Sequence, residues 1–165
     1  WLQDQAVALA RQTRGAQDQM MTAQRKKRRA PQVETVAAFG PPRGDASENV
    51  SVVKSKLPGT LALRSLGEPA EAAQRLVDTA IAPEGSGKEA TLIEAVGEMR
   101  GTADYQLIYQ FEYTVEFDDG RELHNVCAIG AKDDTLYTLT VLAPESAWES
   151  KSEKLTQVAQ SFRLL

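Results

Sequence analysis

Chemistry in a protein of this size would have to start from a histidine, a reactive cysteine or paired carboxylates, and the chain offers few of each. It contains one histidine, His124, and one cysteine, Cys127. A nucleophilic triad would need His124 as base, a serine or cysteine beside it, and an acid to orient it. His124 and Cys127 are three residues apart in a segment that reads as a β-strand, so period two sends them to opposite faces. A lone cysteine excludes an internal disulfide and a cysteine-built zinc cage, and a lone histidine excludes the multi-histidine metal motifs. Cys127 therefore reads as a small buried residue. Asp118-Asp119 and Asp133-Asp134 are paired acids, but both pairs sit where the chain turns and read as solvated turn residues. Gly85-Ser86-Gly87-Lys88 lacks the spacing and the preceding strand of a phosphate loop and reads as a turn.

The remaining chemistry is charge. The 165 residues carry 19 Lys and Arg against 23 Asp and Glu, a net charge of −4. Residues 1–49 hold a balance of +3, concentrated in Arg25-Lys26-Lys27-Arg28-Arg29, and the rest of the chain a balance of −7. An acidic chain with one basic run argues against a dedicated nucleic-acid binder. The run has three readings: a solvated loop, a docking patch for an acidic protein or lipid surface, or a nuclear-localisation or nucleic-acid patch that nothing else in the chain supports. No apolar run approaches the roughly 18 residues of a membrane span. The first residue is Trp1, which implies a chain from which a leading segment has been removed.

Around the basic run, Gln12 to Gln32 is weakly patterned, and Phe39-Gly40-Pro41-Pro42 is rich in breakers. Residues 12–49 thus predict a long loop or insertion with at most short helical pieces. Beyond it the pattern sharpens. Asn49 to Lys54 predicts a strand, and Pro69 to Ile81 a helix with Ala72, Ala73, Leu76, Val77, Ala80 and Ile81 along one stripe. Glu89 to Glu98 predicts a second strand. Tyr105, Leu107, Tyr109, Phe111, Tyr113, Val115 and Phe117 occupy alternate positions of a third, placing seven bulky side chains on one face. Asp118-Asp119-Gly120 predicts a hairpin into a strand over Leu123 to Ala131. Lys132-Asp133-Asp134 then turns the chain into a strand over Thr135 to Ala143. Ser146-Ala147-Trp148-Glu149 matches a capping box for a last helix bearing Trp148, Leu155, Val158, Ala159 and Phe162. That helix is expected to cover the aromatic face. The order β-α-β-β-β-β-α from residue 50 predicts an α+β fold, an antiparallel β-sheet flanked by helices in an α/β/α layered sandwich.

From about residue 49 the chain resembles the PsbP family of photosynthetic membranes. The resemblance is carried by Glu48 to Val53, Leu66-Gly67-Glu68-Pro69, Ile81-Ala82-Pro83, Tyr105 to Tyr113, Arg121-Glu122-Leu123-His124 and Leu136 to Thr140. It is most specific in Trp148-Glu149 and Val158-Ala159-Gln160-Ser161-Phe162. It implies a single domain whose N-terminal part, residues 1–48, holds the basic insertion and whose body spans 49–165. It implies a non-catalytic extrinsic subunit, or an assembly and stability factor, of a photosynthetic membrane complex. Photosystem II, on its oxygen-evolving side, is the first choice. A photosystem I assembly factor or a subunit of a chloroplast NADH-dehydrogenase-like complex is the alternative. The location implied is the chloroplast thylakoid lumen, peripheral to the membrane, with no nucleic-acid partner and no small-molecule substrate.

The resemblance also places His124 where some members are proposed to bind a metal ion, with Glu145 as its acidic partner. His124 lies near the start of one strand and Glu145 just after the end of its neighbour, so antiparallel pairing brings them close. Two ligands hold calcium, manganese or zinc only weakly, so no cofactor is expected to bind tightly. Arg25, Lys26, Lys27, Arg28 and Arg29 are the expected partner-docking residues. Two other classes compete. One is a small metal-dependent enzyme or sensor centred on His124, which requires a concave site there. The other is a regulator of the Ran-binding Mog1 type, which shares the general fold but not these motifs.

Overall fold

The computed structural model describes residues 33–42, 47–56, 63–102 and 104–165. The Arg25 to Arg29 run lies outside these residues. Six strands form one antiparallel sheet: β1 (Val33–Phe39), β2 (Asn49–Lys56), β3 (Lys88–Arg100), β4 (Gln106–Phe117), β5 (Glu122–Lys132) and β6 (Thr135–Pro144). Their order across the sheet is β1-β2-β6-β5-β4-β3. Strands β3 to β6 form a meander, and β2 returns to pair with β6 from Asn49↔Leu142 to Lys56↔Thr135. Helix α1 (Pro69–Leu76) opens on a proline and widens into a π-helical turn over Val77–Ile81, closed by Ala82 N–H donating to Val77 O at 2.9 Å. Helix α2 (Glu145–Gln160) follows β6 directly.

The hairpin turns obey their residues. Gly120, at φ 79°, closes the β4–β5 loop with its N–H on Phe117 O at 2.8 Å. Asp133 and Asp134, at φ 49° and 56°, form a two-residue turn that needs two left-handed residues. Aspartate tolerates that conformation better than most residues, and the tight turn fixes Lys132 opposite Thr135.

Three expectations are corrected. The predicted loop over 12–49 contains β1, whose Val-Glu-Thr-Val-Ala-Ala-Phe sequence lacks clean alternation because a bulge falls between Thr35 and Ala37. The capping box does not form. Pro144 is the N-cap residue, without a side-chain cap, and Ser146 already lies inside the helix. Finally, the aromatic face of β4 is covered by α1. Tyr109, Phe111, Tyr113 and Val115 pack with Leu63, Ala72, Ala73, Cys127 and Ile129. Trp148 and Leu155 of α2, with Phe162 just beyond its end, pack on the opposite face, over Ile108, Val126, Ala128, Leu139, Val141 and Ala143. Tyr105 falls just before β4 and is 60% exposed.

The sheet is thus buried on both faces at its centre, and each helix covers a different part of it. Helix α1 lies over β3 and β4; helix α2 lies over β5 and β6. Tyr109 fixes the first layer by donating its hydroxyl to Gly67 O at 2.8 Å, just before α1 begins. Arg100 fixes the second. Its buried guanidinium donates to Ala159 O at 2.9 Å, satisfying a carbonyl of the last turn of α2, and to Gln110 Oε1 at 2.8 Å.

Candidate functional site

His124 stands in the second layer. The β4–β5 register sets Thr114 opposite His124 and Glu112 opposite Val126, so Glu112 is the diagonal neighbour of His124 on one face. The β5–β6 register sets His124 opposite Ala143, two residues before Glu145 opens α2. Trp148 lies three residues beyond Glu145 and therefore on the same side of the helix.

The geometry follows from these positions. His124 Nδ1 is 2.7 Å from Glu145 Oε2, and His124 Nε2 is 2.8 Å from Glu112 Oε1. The indole of Trp148 stacks on the imidazole with centroids 3.7 Å apart and planes 10° from parallel. The His124 side chain is 5% exposed, against 23% for Glu112 and 37% for Glu145. Two nitrogens facing two carboxylates require two donated hydrogens. The charge-assisted bonds are short and tie β4, β5 and the first turn of α2 together. Glu145 also lies in the first helical turn, where a negative charge is favoured by the exposed N–H groups.

The structure thus brings His124 and Glu145 together as expected and adds Glu112, which sequence reading did not single out. The Asp118-Asp119-Gly120 hairpin carried the signal, since pinning that turn pins Glu112 two places from the residue facing His124. The two carboxylates sit at opposite edges of the ring, so they do not converge with one ring nitrogen on a common point. Among the described residues, no group of three histidine, cysteine, aspartate or glutamate side chains is arranged to hold a metal ion. An open groove of about 820 Å³ adjoins Glu145, lined by Ser47, Arg121, Glu122, Pro144 and Ser146 among others.

Cys127 faces the other layer. Burial pushes its thiol up to about 12, and burial likewise raises the Tyr113 hydroxyl far above its ordinary range. Neither group can ionise near neutral pH. Asp119 lies in the β4–β5 turn, where hydrogen bonds from Arg121 hold its carboxyl below the usual range.

Family comparison meets this fold along most of its length. The PsbP family profile matches residues 18–164. The chain belongs to the PsbP family. CyanoP of Thermosynechococcus vestitus is 35% identical over 122 residues, covering 72% of this chain and 65% of the relative. PsbP domain-containing protein 7, chloroplastic, of Arabidopsis thaliana is 35% identical over 146 residues, covering 86% of this chain and 50% of the relative. This PsbP-family chain thus spans about half to two thirds of the length of these curated relatives. The solution structure of CyanoP from Synechocystis sp. PCC 6803 superposes with a TM-score of 0.63 at 19% identity, covering 88% of this chain and 99% of that one. At that identity the likeness establishes the PsbP-type sheet and its two helix layers. No helix among the described residues is long and apolar enough to cross a membrane.

Proposed function

We propose that this chain is a non-catalytic extrinsic subunit, or an assembly and stability factor, of a photosynthetic membrane complex in the thylakoid lumen, with photosystem II as the complex. Family membership supports the setting, and the relatives include a chloroplastic protein and cyanobacterial ones. The observation that carries the non-catalytic part is the occupancy of His124. Both ring nitrogens hold carboxylates and one face carries an indole, so the ring acts as a tie between elements and not as a general base. Cys127 is buried in the other layer with its thiol held neutral.

A divalent ion at His124 and Glu145 is a weaker reading. It would have to displace the proton between Nδ1 and Oε2 and draw its remaining ligands from water, so affinity would be low and lost with His124→Ala. Docking is assigned to Arg25, Lys26, Lys27, Arg28 and Arg29, the dense cationic run of a chain that is otherwise acidic.

Affinity capture tests the function. A tagged chain expressed in its own organism and recovered from gently solubilised thylakoids should carry photosystem II subunits with it. Recovery with photosystem I or with an NADH-dehydrogenase-like complex would change the assigned complex, and recovery without any membrane complex would reject the proposal.

A further inference from the structure

The two layers leave one part of the sheet uncovered on the α2 side, because α2 packs on β5 and β6 while β3 lies at the edge. Among the described residues β3 pairs only with β4, so the outward backbone groups of a thirteen-residue strand have no strand partner. Its side chains are sorted by face. Glu94 faces Glu112 across the β3–β4 pair, and Glu89 faces Glu116, which in turn faces Glu122 on β5. Glu98 continues the series on the α2 side, where it faces Ile108. Glu89, Glu94, Glu98, Glu116 and Glu122 are all exposed. Directly opposed like charges weaken a sheet, so this row costs the fold stability unless a cation lies alongside. Arg100 reaches one member of the row, its Nε donating to Glu98 Oε2 at 3.1 Å, while Lys88 and Arg121 lie over the Phe117 ring; among the described residues Glu89 and Glu94 have no ion-pair partner. On its other face β3 presents Ala90, Leu92, Ala95 and Met99, the last 54% exposed.

We propose that the free edge of β3 accepts an extended segment of another protein as a seventh strand, one in which lysine or arginine alternates with apolar residues. The backbone groups of β3 supply the hydrogen bonds, and period two supplies the code. Cations of the added strand fall beside Glu89 and Glu94, which share a face because β3 bulges between Leu92 and Glu94, and Glu98 is already held by Arg100; its apolar residues fall beside Leu92, Ala95 and Met99. A second copy does not satisfy this code. The only cations of β3 are Lys88 and the buried Arg100 at its two ends, so a second copy offers no alternating cations, and β1 bears Glu34 and no cation. The Arg25 to Arg29 run is contiguous, so alternate members would be driven onto the apolar side.

The probe is the peptide acetyl-Lys-Val-Arg-Val-Lys-Val-Arg-amide, compared with its isomer acetyl-Lys-Arg-Lys-Arg-Val-Val-Val-amide, each titrated into the full chain at low ionic strength. The alternating peptide should bind roughly fivefold or more tightly than the isomer and slow amide exchange along β3. Glu89→Gln with Glu94→Gln should weaken binding by a similar factor. Glu71→Gln with Glu153→Gln, the same charge change on the helices, should alter it less than about twofold. The double variant on β3 should also melt higher than wild type, which shows that it folds. Equal binding of the two peptides, unchanged exchange in β3, or equal weakening by both double variants would overturn the proposal. So would self-association of the wild-type chain through β3.

Discussion

Under the Trp148 ring, His124 cannot be removed without stranding two carboxylates. His124→Ala should therefore cost roughly 2–4 kcal/mol in urea unfolding, because Glu112 and Glu145 would face a cavity with no donor. Glu145→Gln should cost much less, since that side chain is more than a third exposed and an amide can still accept from the ring. Cys127 provides the matching prediction in the other layer. Its thiol should resist alkylation at pH 8 in the folded chain and react at once in denaturant. The linkage has a definite sign. The unfolded thiol ionises near 9, while the folded one is pushed up to about 12. Between those values the unfolded chain binds fewer protons, so stability falls as pH rises, and the buried Tyr113 hydroxyl adds to the loss at higher pH. Rapid alkylation of the folded protein would contradict the burial assigned here. At this scale sequence reading reached His124 and Glu145 through family resemblance and strand ends. It missed Glu112 because an acid on a strand beside bulky residues looks like any solvent-facing position until the register is known.

Among the elements, β4 organises the molecule. Its alternate aromatics were legible from period two, and so were β2, helix α1 and both hairpin turns, because each has a local cause in spacing, proline or a turn pair. Phe111 is 2% exposed at the centre of the first core, and Phe111→Ala should cost roughly 3–5 kcal/mol by chemical unfolding. A cost below about 1 kcal/mol would mean that the α1 layer does not close over it. Which helix covers which face was not legible. Both helices carry an apolar stripe, and β4 is buried on both sides, with Ile108 and Gln110 on the α2 side as inaccessible as the aromatics on the other. Arg100 was illegible for a related reason: an arginine at the end of an edge strand looks solvated, yet α2 ends over it and takes its N–H groups. The β1 strand escaped notice because its bulge breaks the alternation and a basic, glutamine-rich stretch precedes it.

For the whole molecule the governing feature is the separation of charge, +3 in residues 1–49 and −7 beyond. In the proposed function the chain would dock by its basic run and keep its acidic body out of repulsive contact, an arrangement sensitive to salt over a screening length of about 8–10 Å. Replacing Arg25, Lys26, Lys27, Arg28 and Arg29 with glutamine should leave folding unchanged and release the chain from its membrane complex at lower salt than wild type. Unchanged release would transfer docking to the acidic body. The central claim, that the chain is a docking subunit of a photosynthetic membrane complex, is tested most directly by rebinding the purified chain to salt-washed thylakoid membranes. The account predicts saturable binding that reaches a fixed ratio to photosystem II centres, falls with added salt and is absent from protein-free vesicles of thylakoid lipid. Binding that rises without saturation, or that is equally strong on the vesicles, would contradict it.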